Sequence, residues 1–155
     1  MKVRTLINED ISKVIDLLVG SELIPSPEEA KIIIDNSIIS PLSQFFVAVE
    51  EESAEIRAVV CWDLDEFAPD GSVLEIGYLA VEERFQRQKI GTGLLEQSFK
   101  YVQQMLAKKV SVVFVRAEPE TTRFYSESFK MKKEGETKDF WDKKDKIIFM
   151  VRRFH

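Results

Sequence analysis

The sequence predicts a mixed α/β fold, in which helices cover the faces of one β-sheet. Apolar residues recur at helical spacing in some segments and at strand spacing in others, in the order β-α-α-β-β-β-α-β-α-β-β. The segment 110–115 is almost entirely apolar and β-branched, which is typical of a central strand buried on both faces. With 155 residues, of which 45% are hydrophobic and 32% charged, the chain suits a single soluble domain spanning residues 1–155.

The first third of the chain predicts a strand and two helices. Residues 2–7 form the strand, and Asn8 can cap the helix that follows. The run Ser26-Pro27-Glu28-Glu29 combines a capping box with proline at the first helical position, which predicts the start of the second helix. The residues expected to face the core are Ile11, Val14, Ile15 and Leu18 in the first helix and Ala30, Ile33, Ile34 and Ile38 in the second.

Three strands are predicted next. Residues 45–50 and 56–64 form a hairpin across a short polar turn. After an acidic segment that ends in the turn signal Asp70-Gly71, residues 72–81 form another strand. Glu75 lies in the mostly apolar run of that strand. This middle part of the chain therefore supplies neighbouring strands of the sheet.

The second half predicts two more helices and the remaining strands. A long helix spans 91–109, a short helix spans 120–128, and closing strands span 132–139 and 147–153 around a loop. The apolar stripe of the long helix consists of Leu94, Leu95, Phe99, Val102, Met105 and Leu106. Two lysines, Lys108 and Lys109, suit the negative C-terminal end of that helix.

Composition narrows the classes of function. With one cysteine, Cys61, the chain has no disulfide framework and no cysteine metal cluster, and no metal site is expected. The net charge of −5 argues against a nucleic-acid binder and suits a cationic partner. No apolar run resembles a signal peptide or a membrane span, so a cytoplasmic location and no membrane partner are expected. Core or rim packing is expected for Cys61, Trp62 and Trp141, and no catalytic role for the terminal His155.

The most informative segment is the loop that opens the long helix. The first turn of a helix leaves backbone N–H groups unpaired and carries about half a positive charge, which suits a pyrophosphate. Gly91 and Gly93 allow a ligand close to the backbone, and Arg84, Arg87 and Lys89 add positive charge. The loop matches neither a Walker loop nor a dinucleotide-binding fingerprint.

A family resemblance covers this loop and its surroundings. The run Gln86-Arg87-Gln88-Lys89-Ile90-Gly91 resembles the Q/R-x-x-G-x-G/A signature of the GNAT N-acetyltransferase superfamily, and the run Thr92-Gly93-Leu94-Leu95 matches the helix start after it. Leu79-Ala80-Val81 resembles the end of the family's preceding strand, residues 122–129 (TRFYSESF) resemble its F-Y-x-x-x-G-F helix, and residues 145–149 resemble its last strand. The resemblance spans essentially the whole chain and implies a mostly antiparallel sheet of about seven strands with about four helices.

The resemblance implies an N-acetyltransferase that moves an acetyl group from its co-substrate acetyl-CoA to a primary amine by direct attack in a ternary complex. Protein lysines or N-termini, polyamines and other small amines stay open as acceptors, and so does a homodimer. The implied cofactor-binding residues are Leu79, Val81, Gln86, Arg87, Gln88, Lys89, Gly91, Thr92 and Gly93. In this scheme the Leu79 N–H holds the thioester oxygen, Val81 pairs with the pantetheine arm, and the loop amides cradle the pyrophosphate.

Two residues are candidates for the chemistry. Deprotonating a lysine-like ammonium ion near neutral pH costs about 4 kcal/mol, so a nearby carboxylate is useful as a base. Glu75 is the candidate base, and its spacing from Gln86 matches the glutamate of the family's histone-acetylating branch. By resemblance, Tyr125 is the general acid for the departing CoA thiolate, while its neighbour Phe124 is expected to face the core.

Three positions depart from the family pattern. Lys89 replaces the first signature glycine, Ser128 replaces the glycine before Phe129, and Glu118 replaces a frequent asparagine. Lys89 is expected to fit if its backbone takes ordinary helical angles. These departures keep a second function open, a non-catalytic acyl-CoA-binding or protein-interaction module on the same fold, as well as a regulatory dimerisation domain.

Overall fold

The computed structural model describes residues 1–65, 72–106, 110–138 and 146–154, and these form a mixed sheet with α-helices on both faces. The strands are β1 (Lys2–Thr5), β2 (Ser43–Val49), β3 (Ile56–Leu64), β4 (Val73–Val81), β5 (Val112–Ala117), β6 (Lys132–Lys138) and β7 (Lys146–Arg153). The helices are α1 (Ile11–Gly20), α2 (Pro27–Ile39), α3 (Ile90–Leu106) and α4 (Thr122–Phe129). The order along the chain confirms the predicted one.

Some predictions fall outside the described residues. They concern Trp141, His155, Lys108 and Lys109, most of the acidic segment 63–70, and the loop between the last two strands. Within the described part of the chain, no helix is both long and apolar enough to cross a membrane.

The sheet has the strand order β1-β2-β3-β4-β5-β7-β6. All neighbours are antiparallel except β4 and β5, which are parallel. Their pairing is short: it begins at Val73 and Val112 and ends where Glu75 faces Phe114. Because β4 continues to Val81 and β5 to Ala117, the two strands separate beyond Glu75 and leave a gap in the middle of the sheet.

Two hydrophobic clusters hold the helices to the sheet. On one face α3 and α4 pack over the β3 residue Trp62, whose indole Nε1 donates a hydrogen bond to Ser98 Oγ at 2.8 Å. On the other face α1 and α2 pack over β2 and β3 through residues such as Leu18, Ile34 and Val59, each fully buried. Trp62 and Cys61 are both core residues, as predicted.

Three predictions about burial are wrong. Ile38 is 54% exposed and Met105 is 59% exposed, although both match the helical periodicity of their helices. Each lies in the last turn of its helix, and periodicity does not reveal where a helix passes beyond the sheet that covers it. In β5, Val113 and Val115 are buried but Val112 and Phe114 are only partly buried, so the segment 110–115 is not buried on both faces. The face with Val113 and Val115 is covered by α3 and α4, whereas α1 and α2 pack over β2 and β3.

An ion pair fixes the start of α1. The Arg4 guanidinium donates to Asp10 Oδ2 at 2.5 Å and to Oδ1 at 3.0 Å, and the Ile7 N–H donates to Asp10 Oδ2 at 2.9 Å. Burial opposes the ionisation of Asp10, but these hydrogen bonds outweigh it and hold the pKa of Asp10 below its ordinary value. The predicted cap Asn8 is therefore wrong: it lies in a 3-10 turn, and Asp10 accepts the hydrogen bond at this helix start. The cap of α2 is as predicted, with Ser26 Oγ accepting from the Glu29 N–H.

The loop before α3 contains unusual backbone angles. Arg87 has φ of 62° and Lys89 has φ of 61°, both in the left-handed region. The expectation of ordinary helical angles at Lys89 is therefore wrong. A side chain in this conformation costs about 1–2 kcal/mol, which explains why glycine suits the position.

Replacing Asp10 by asparagine should lower the free energy of unfolding by about 2 kcal/mol at pH 7, because the hydrogen bonds to a charged partner are lost. The pKa of Asp10 is depressed in the folded state, so its contribution is present above its unfolded pKa and is lost as the pH falls through the folded one. Urea unfolding should show the wild type and the variant converging in acid. Asp35→Asn, at an exposed ion pair, is the control and should change stability by about 0.5 kcal/mol or less. Equal stability of wild type and Asp10→Asn at pH 7 would contradict the prediction.

Replacing Lys89 by glycine should raise the free energy of unfolding by about 1 kcal/mol, because glycine adopts positive φ without strain. The neighbouring change Gln88→Gly should lower it, since Gln88 is not left-handed and glycine costs more conformational entropy there. Thermal unfolding of both variants measures the difference. A loss of stability in Lys89→Gly would argue that the lysine side chain compensates for its own backbone strain.

Candidate active site

The gap between β4 and β5 opens into a cleft of about 620 Å³. It is lined by the separated halves of both strands, by the turn after α1 and by α4. Its lining residues are Glu22, Leu23, Asp63, Glu75, Ile76, Gly77, Tyr78, Leu79, Val115, Arg116, Ala117, Glu118, Thr121 and Tyr125. Both predicted catalytic residues and the predicted oxyanion residue therefore lie in one cleft.

A β-bulge shapes the floor of the cleft. Cys61 of β3 faces Tyr78 while Trp62 faces Ile76, so Gly77 is an extra residue in β4. A Cβ atom at Gly77 would lie 2.1 Å from Asp63 Oδ2. Glycine is required here because the Asp63 carboxylate occupies the space beside the bulge.

Glu75 is held by a bidentate ion pair. Arg116 Nε donates to Glu75 Oε1 at 2.6 Å and Arg116 Nη2 donates to Oε2 at 3.0 Å. The Glu75 side chain is 16% exposed. The hydrogen bonds that Arg116 donates to the Glu75 carboxylate raise the pKa of Arg116, so the guanidinium stays charged. Both oxygens of the predicted base are thus engaged.

Asp63 has a different environment. Its Oδ1 accepts from Ser43 Oγ at 2.5 Å and from Cys61 Sγ at 3.4 Å. Its Oδ2 accepts no hydrogen bond from the described residues. Burial and then the nearby Asp63 carboxylate raise the pKa of the Cys61 thiol, which keeps it protonated and makes it a poor nucleophile.

Tyr125 reaches the cleft from α4. It is 8% exposed, and its ring packs edge-on against Phe124, with centroids 5.2 Å apart. Among the described residues, no hydrogen-bond partner is found for its hydroxyl group. Burial raises the pKa of Tyr125 well above its ordinary value, so the phenol carries its proton at neutral pH.

The loop before α3 presents a row of free backbone donors. From Arg87 to Thr92, no backbone N–H donates to an acceptor in the described part of the chain. The first helical hydrogen bond is donated by the Gly93 N–H to Lys89 O at 3.0 Å. Residues 86–89 are exposed, so these donors can reach a ligand. Successive free amides with left-handed residues among them form a concavity for an anion, and the dipole of α3 adds to its positive potential.

The two glycines of the loop also contribute to local packing and to the first turn of the helix. A Cβ atom at Gly91 would lie 3.2 Å from the Phe124 ring and 3.3 Å from Val81 Cγ2, so this glycine lets α3 approach α4 and β4 closely. The Gly93 amide is engaged within the helix and is not a free donor. Gln86 Nε2 donates to Val81 O at 3.2 Å, which ties the loop to the end of β4.

An ionic network anchors the turn between β4 and this loop. Arg84 Nε donates to Glu82 at 2.7 Å, and the Arg84 guanidinium also pairs with Glu55. Lys13 of α1 lies 3.1 Å from Glu82 Oε2. Arg84 is therefore committed to carboxylates, which leaves Arg87 and Lys89 as the cations of the loop.

A hydrogen bond joins the loop helix to the tyrosine helix. Thr92 Oγ1 donates to Ser128 Oγ at 2.8 Å. Ser128, a departure from the family pattern, thus gives α4 a direct link to the first turn of α3. The link fixes the position of Tyr125 relative to the free amides.

Several residues of the site were missed from the sequence. Arg116 and Glu22 carry no sequence signal, because only the arrangement of the strands and the turn after α1 bring them to the cleft. The sequence places Asp63 in the acidic stretch 63–70, which could attract a cationic acceptor, but a solvated loop is the expectation there. Gly77 did carry one, since glycine inside a strand indicates a bulge or a close approach. Within the described ranges, no group of three or more histidine, cysteine or acidic residues is arranged to hold a metal ion.

Comparisons with known proteins identify the family and the fold of the chain. The acetyltransferase (GNAT) family model matches residues 11–131. No curated protein is significantly similar to the chain in sequence. Many solved structures share its fold, and three of them illustrate the likeness at low sequence identity.

A putative acetyltransferase of the GNAT family from Desulfovibrio desulfuricans has a TM-score of 0.79 at 18% identity, covering 98% of each chain. A spermidine N-acetyltransferase mutant from Vibrio cholerae has a TM-score of 0.77 at 11% identity, covering 99% of this chain and 95% of the other. The ribosomal-protein-S18-alanine N-acetyltransferase from Escherichia coli has a TM-score of 0.75 at 14% identity, covering 98% and 92%.

The three likenesses establish the seven-stranded fold, and the match to the family model covers well over half of the chain. The chain therefore belongs to the acetyltransferase (GNAT) family, whose enzymes use acetyl-CoA as co-substrate.

Proposed function

We propose that this enzyme transfers an acetyl group from acetyl-CoA to a primary amine by direct attack in a ternary complex. The observation that carries the proposal is the run of free amides from Arg87 to Thr92. This run follows the end of β4, one of the two strands whose separation forms the cleft that contains Tyr125. The free donors suit a pyrophosphate, and the gap suits an extended pantetheine arm. The acetyl end would then lie in the cleft.

The separated strand edge supports this placement. Beyond Glu75, β4 has no hydrogen-bonded partner among the described residues of β5, so its backbone groups can pair with an amide-containing chain as a strand would. Val81 is the position for the pantetheine. The Leu79 N–H would hold the thioester oxygen, since a donor aimed at a developing oxyanion lowers the barrier substantially.

Tyr125 is placed to assist the leaving group. Its hydroxyl group is protonated at neutral pH and has no partner in the described residues, so it can donate to the departing sulfur. A thiol has a pKa of about 8.5, so its thiolate already leaves fairly well and the acid contributes modestly.

Glu75 is the proton acceptor that the sequence predicts. Arg116 donates one hydrogen bond to each of its oxygens, so a proton taken up by Glu75 would cancel the negative charge that pairs with Arg116. The ion pair also fixes the wall of the cleft where β4 and β5 separate.

The charge of the cleft favours a cationic acceptor. Among its described lining residues, Glu22, Asp63, Glu75 and Glu118 are acidic and Arg116 is basic. Two of the proteins with similar structures are named as N-acetyltransferases, one of spermidine and one of an alanine of ribosomal protein S18. We therefore infer an amine that is protonated in solution, and a cytoplasmic location remains a prediction.

Calorimetric titration of acetyl-CoA should give micromolar binding, and Gly91→Glu should abolish it, because the new side chain adds bulk against Phe124 and a negative charge beside the free amides. Arg87→Glu, at an exposed position, should weaken binding about tenfold or more without a packing change, a loss of about 1.4 kcal/mol.

The matched control for this experiment is Gly20→Glu, since a Cβ atom there meets nothing within 4 Å. It should bind acetyl-CoA as the wild type does. Absence of acetyl-CoA binding by the folded wild type would refute the proposed function and leave the fold as an interaction module.

Removing the Tyr125 hydroxyl group as Tyr125→Phe should lower kcat by about tenfold, because only the assistance to the leaving thiolate is lost. The dissociation constant of acetyl-CoA should not change, since the ring remains in place. Steady-state thiol release with a primary amine measures the first quantity and calorimetry the second. A weakened acetyl-CoA affinity with unchanged kcat would instead indicate a binding role for the hydroxyl group.

A further inference from the structure

We propose that Asp63 binds the acceptor as an alkylammonium ion and takes up its proton, while Glu75 with Arg116 positions the cleft wall. This inference rests on the proposed acetyl transfer and names the carboxylate and the charge state of the acceptor.

The position of Asp63 is the first argument. The register of β3 and β4 places it directly opposite Glu75, on the same face of the sheet. The bulge at Gly77 removes the side chain that would otherwise cover Asp63, and Oδ2 lies where that Cβ atom would be. A strand of ordinary residues would bury this oxygen, so the bulge exposes it to the cleft.

Hydrogen bonding is the second argument. Ser43 and Cys61 both donate to Oδ1 of Asp63, which fixes the carboxylate while its Oδ2 receives nothing from the described residues. In contrast, the two donors of Arg116 occupy both oxygens of Glu75. Of the two facing carboxylates, Asp63 is therefore the one with an oxygen that accepts no hydrogen bond from the described residues, which leaves that oxygen for an ammonium group.

The charges around Asp63 are the third argument. Its titratable neighbours are Glu75 and Tyr78 on β4, Cys61 on β3 and Arg116 on β5. Burial, and then the nearby acidic groups Cys61, Asp63 and Glu75, raise the pKa of Tyr78 against the opposing effect of Arg116, so its phenol stays neutral. Arg116 forms its ion pair with Glu75, and no cation among the described residues forms an ion pair with Asp63. The negative charge of Asp63 can therefore pair with a cationic ligand.

The position of Tyr125 in the same cleft as Asp63 indicates where the acceptor nitrogen lies. The Tyr125 side chain is 8% exposed and its hydroxyl group has no hydrogen-bond partner in the described ranges, and Tyr125 and Asp63 both line the cleft. The acetyl group would lie between the two strands, with the phenol near its sulfur. An ammonium ion on Asp63 then approaches from the face that α1 and α2 cover.

The transfer balances with these two residues. The ammonium ion gives one proton to Asp63 Oδ2, and its nitrogen lone pair forms the C–N bond with the thioester carbon. The C–S bond breaks and the sulfur leaves with its electron pair. Tyr125 passes its proton to the sulfur and receives one from the acetylated nitrogen. The products are an amide and the CoA thiol, and Asp63 releases its proton to solvent.

Binding gives the first test. Calorimetric titration of 1,4-diaminobutane into the protein saturated with free CoA should show saturable binding, since Glu22 and Glu118 favour a second positive charge. Asp63→Asn should weaken it about tenfold or more, and Asp35→Asn, which removes an exposed charge on α2, should not. No saturable binding to the wild-type CoA complex would overturn the proposal, whereas a failure to bind acetyl-CoA would overturn the proposed function itself.

Turnover with two amines gives the second test. With n-butylamine, a cation at pH 7.5, Asp63→Asn should lower kcat by about 100-fold, within the range of general base catalysis. With trifluoroethylamine, which is neutral at that pH, the loss should be about fivefold or less. Glu75→Gln should lower turnover of both amines by similar factors, as expected of a positioning residue.

The difference between the amines separates a base from a structural residue. Equal losses for both amines in Asp63→Asn would overturn the proposal, and so would a loss confined to n-butylamine in Glu75→Gln, which would identify Glu75 as the base. If the wild type binds acetyl-CoA but releases no thiol with either amine, the binding experiment decides the ammonium site.

Discussion

The early end of pairing between β4 and β5 is the constraint on which the site depends. Backbone groups inside a sheet must be hydrogen-bonded, so two separating strands leave donors and acceptors that need a partner. Here the separation begins after Glu75, and the bidentate ion pair with Arg116 spans the strands at that point. The gap connects the side of the sheet covered by α3 and α4 with the side covered by α1 and α2. In the proposed function, the donor substrate and the acceptor enter from these opposite faces.

In the proposed function, recognition of the pyrophosphate at the start of α3 relies on backbone more than on side chains. The free amides and the helix dipole are available whatever side chains the loop carries, which explains how Lys89 can replace a glycine of the family signature. The replacement has a cost, because Lys89 is left-handed. Strain of this kind persists where surrounding contacts hold the backbone, and here Gln86 ties the loop to Val81 while Thr92 ties the helix to Ser128.

Two facing carboxylates in one cleft have different hydrogen-bonding partners. Glu75 accepts hydrogen bonds from Arg116 at both oxygens. Asp63 accepts them at Oδ1, whereas its Oδ2 accepts none from the part of the chain that the structure describes. A sheet can make this distinction because neighbouring strands bring residues distant in sequence side by side, and one bulge changes which atoms face the cleft. Glycine at position 77 is the local requirement that makes the difference.

Periodicity and capping signals in the sequence determined the order of strands and helices, because these signals depend on neighbours within a few residues. The loop motif likewise determined where α3 begins. The same reasoning failed at Ile38 and Met105, where burial depends on how far the sheet extends, and at Asn8, where Asp10 accepts the hydrogen bond. Only the tertiary structure decided that Lys89 is left-handed, that Arg116 occupies Glu75 and that Asp63 is open. These features arise from contacts between strands far apart in the chain, which local sequence does not encode.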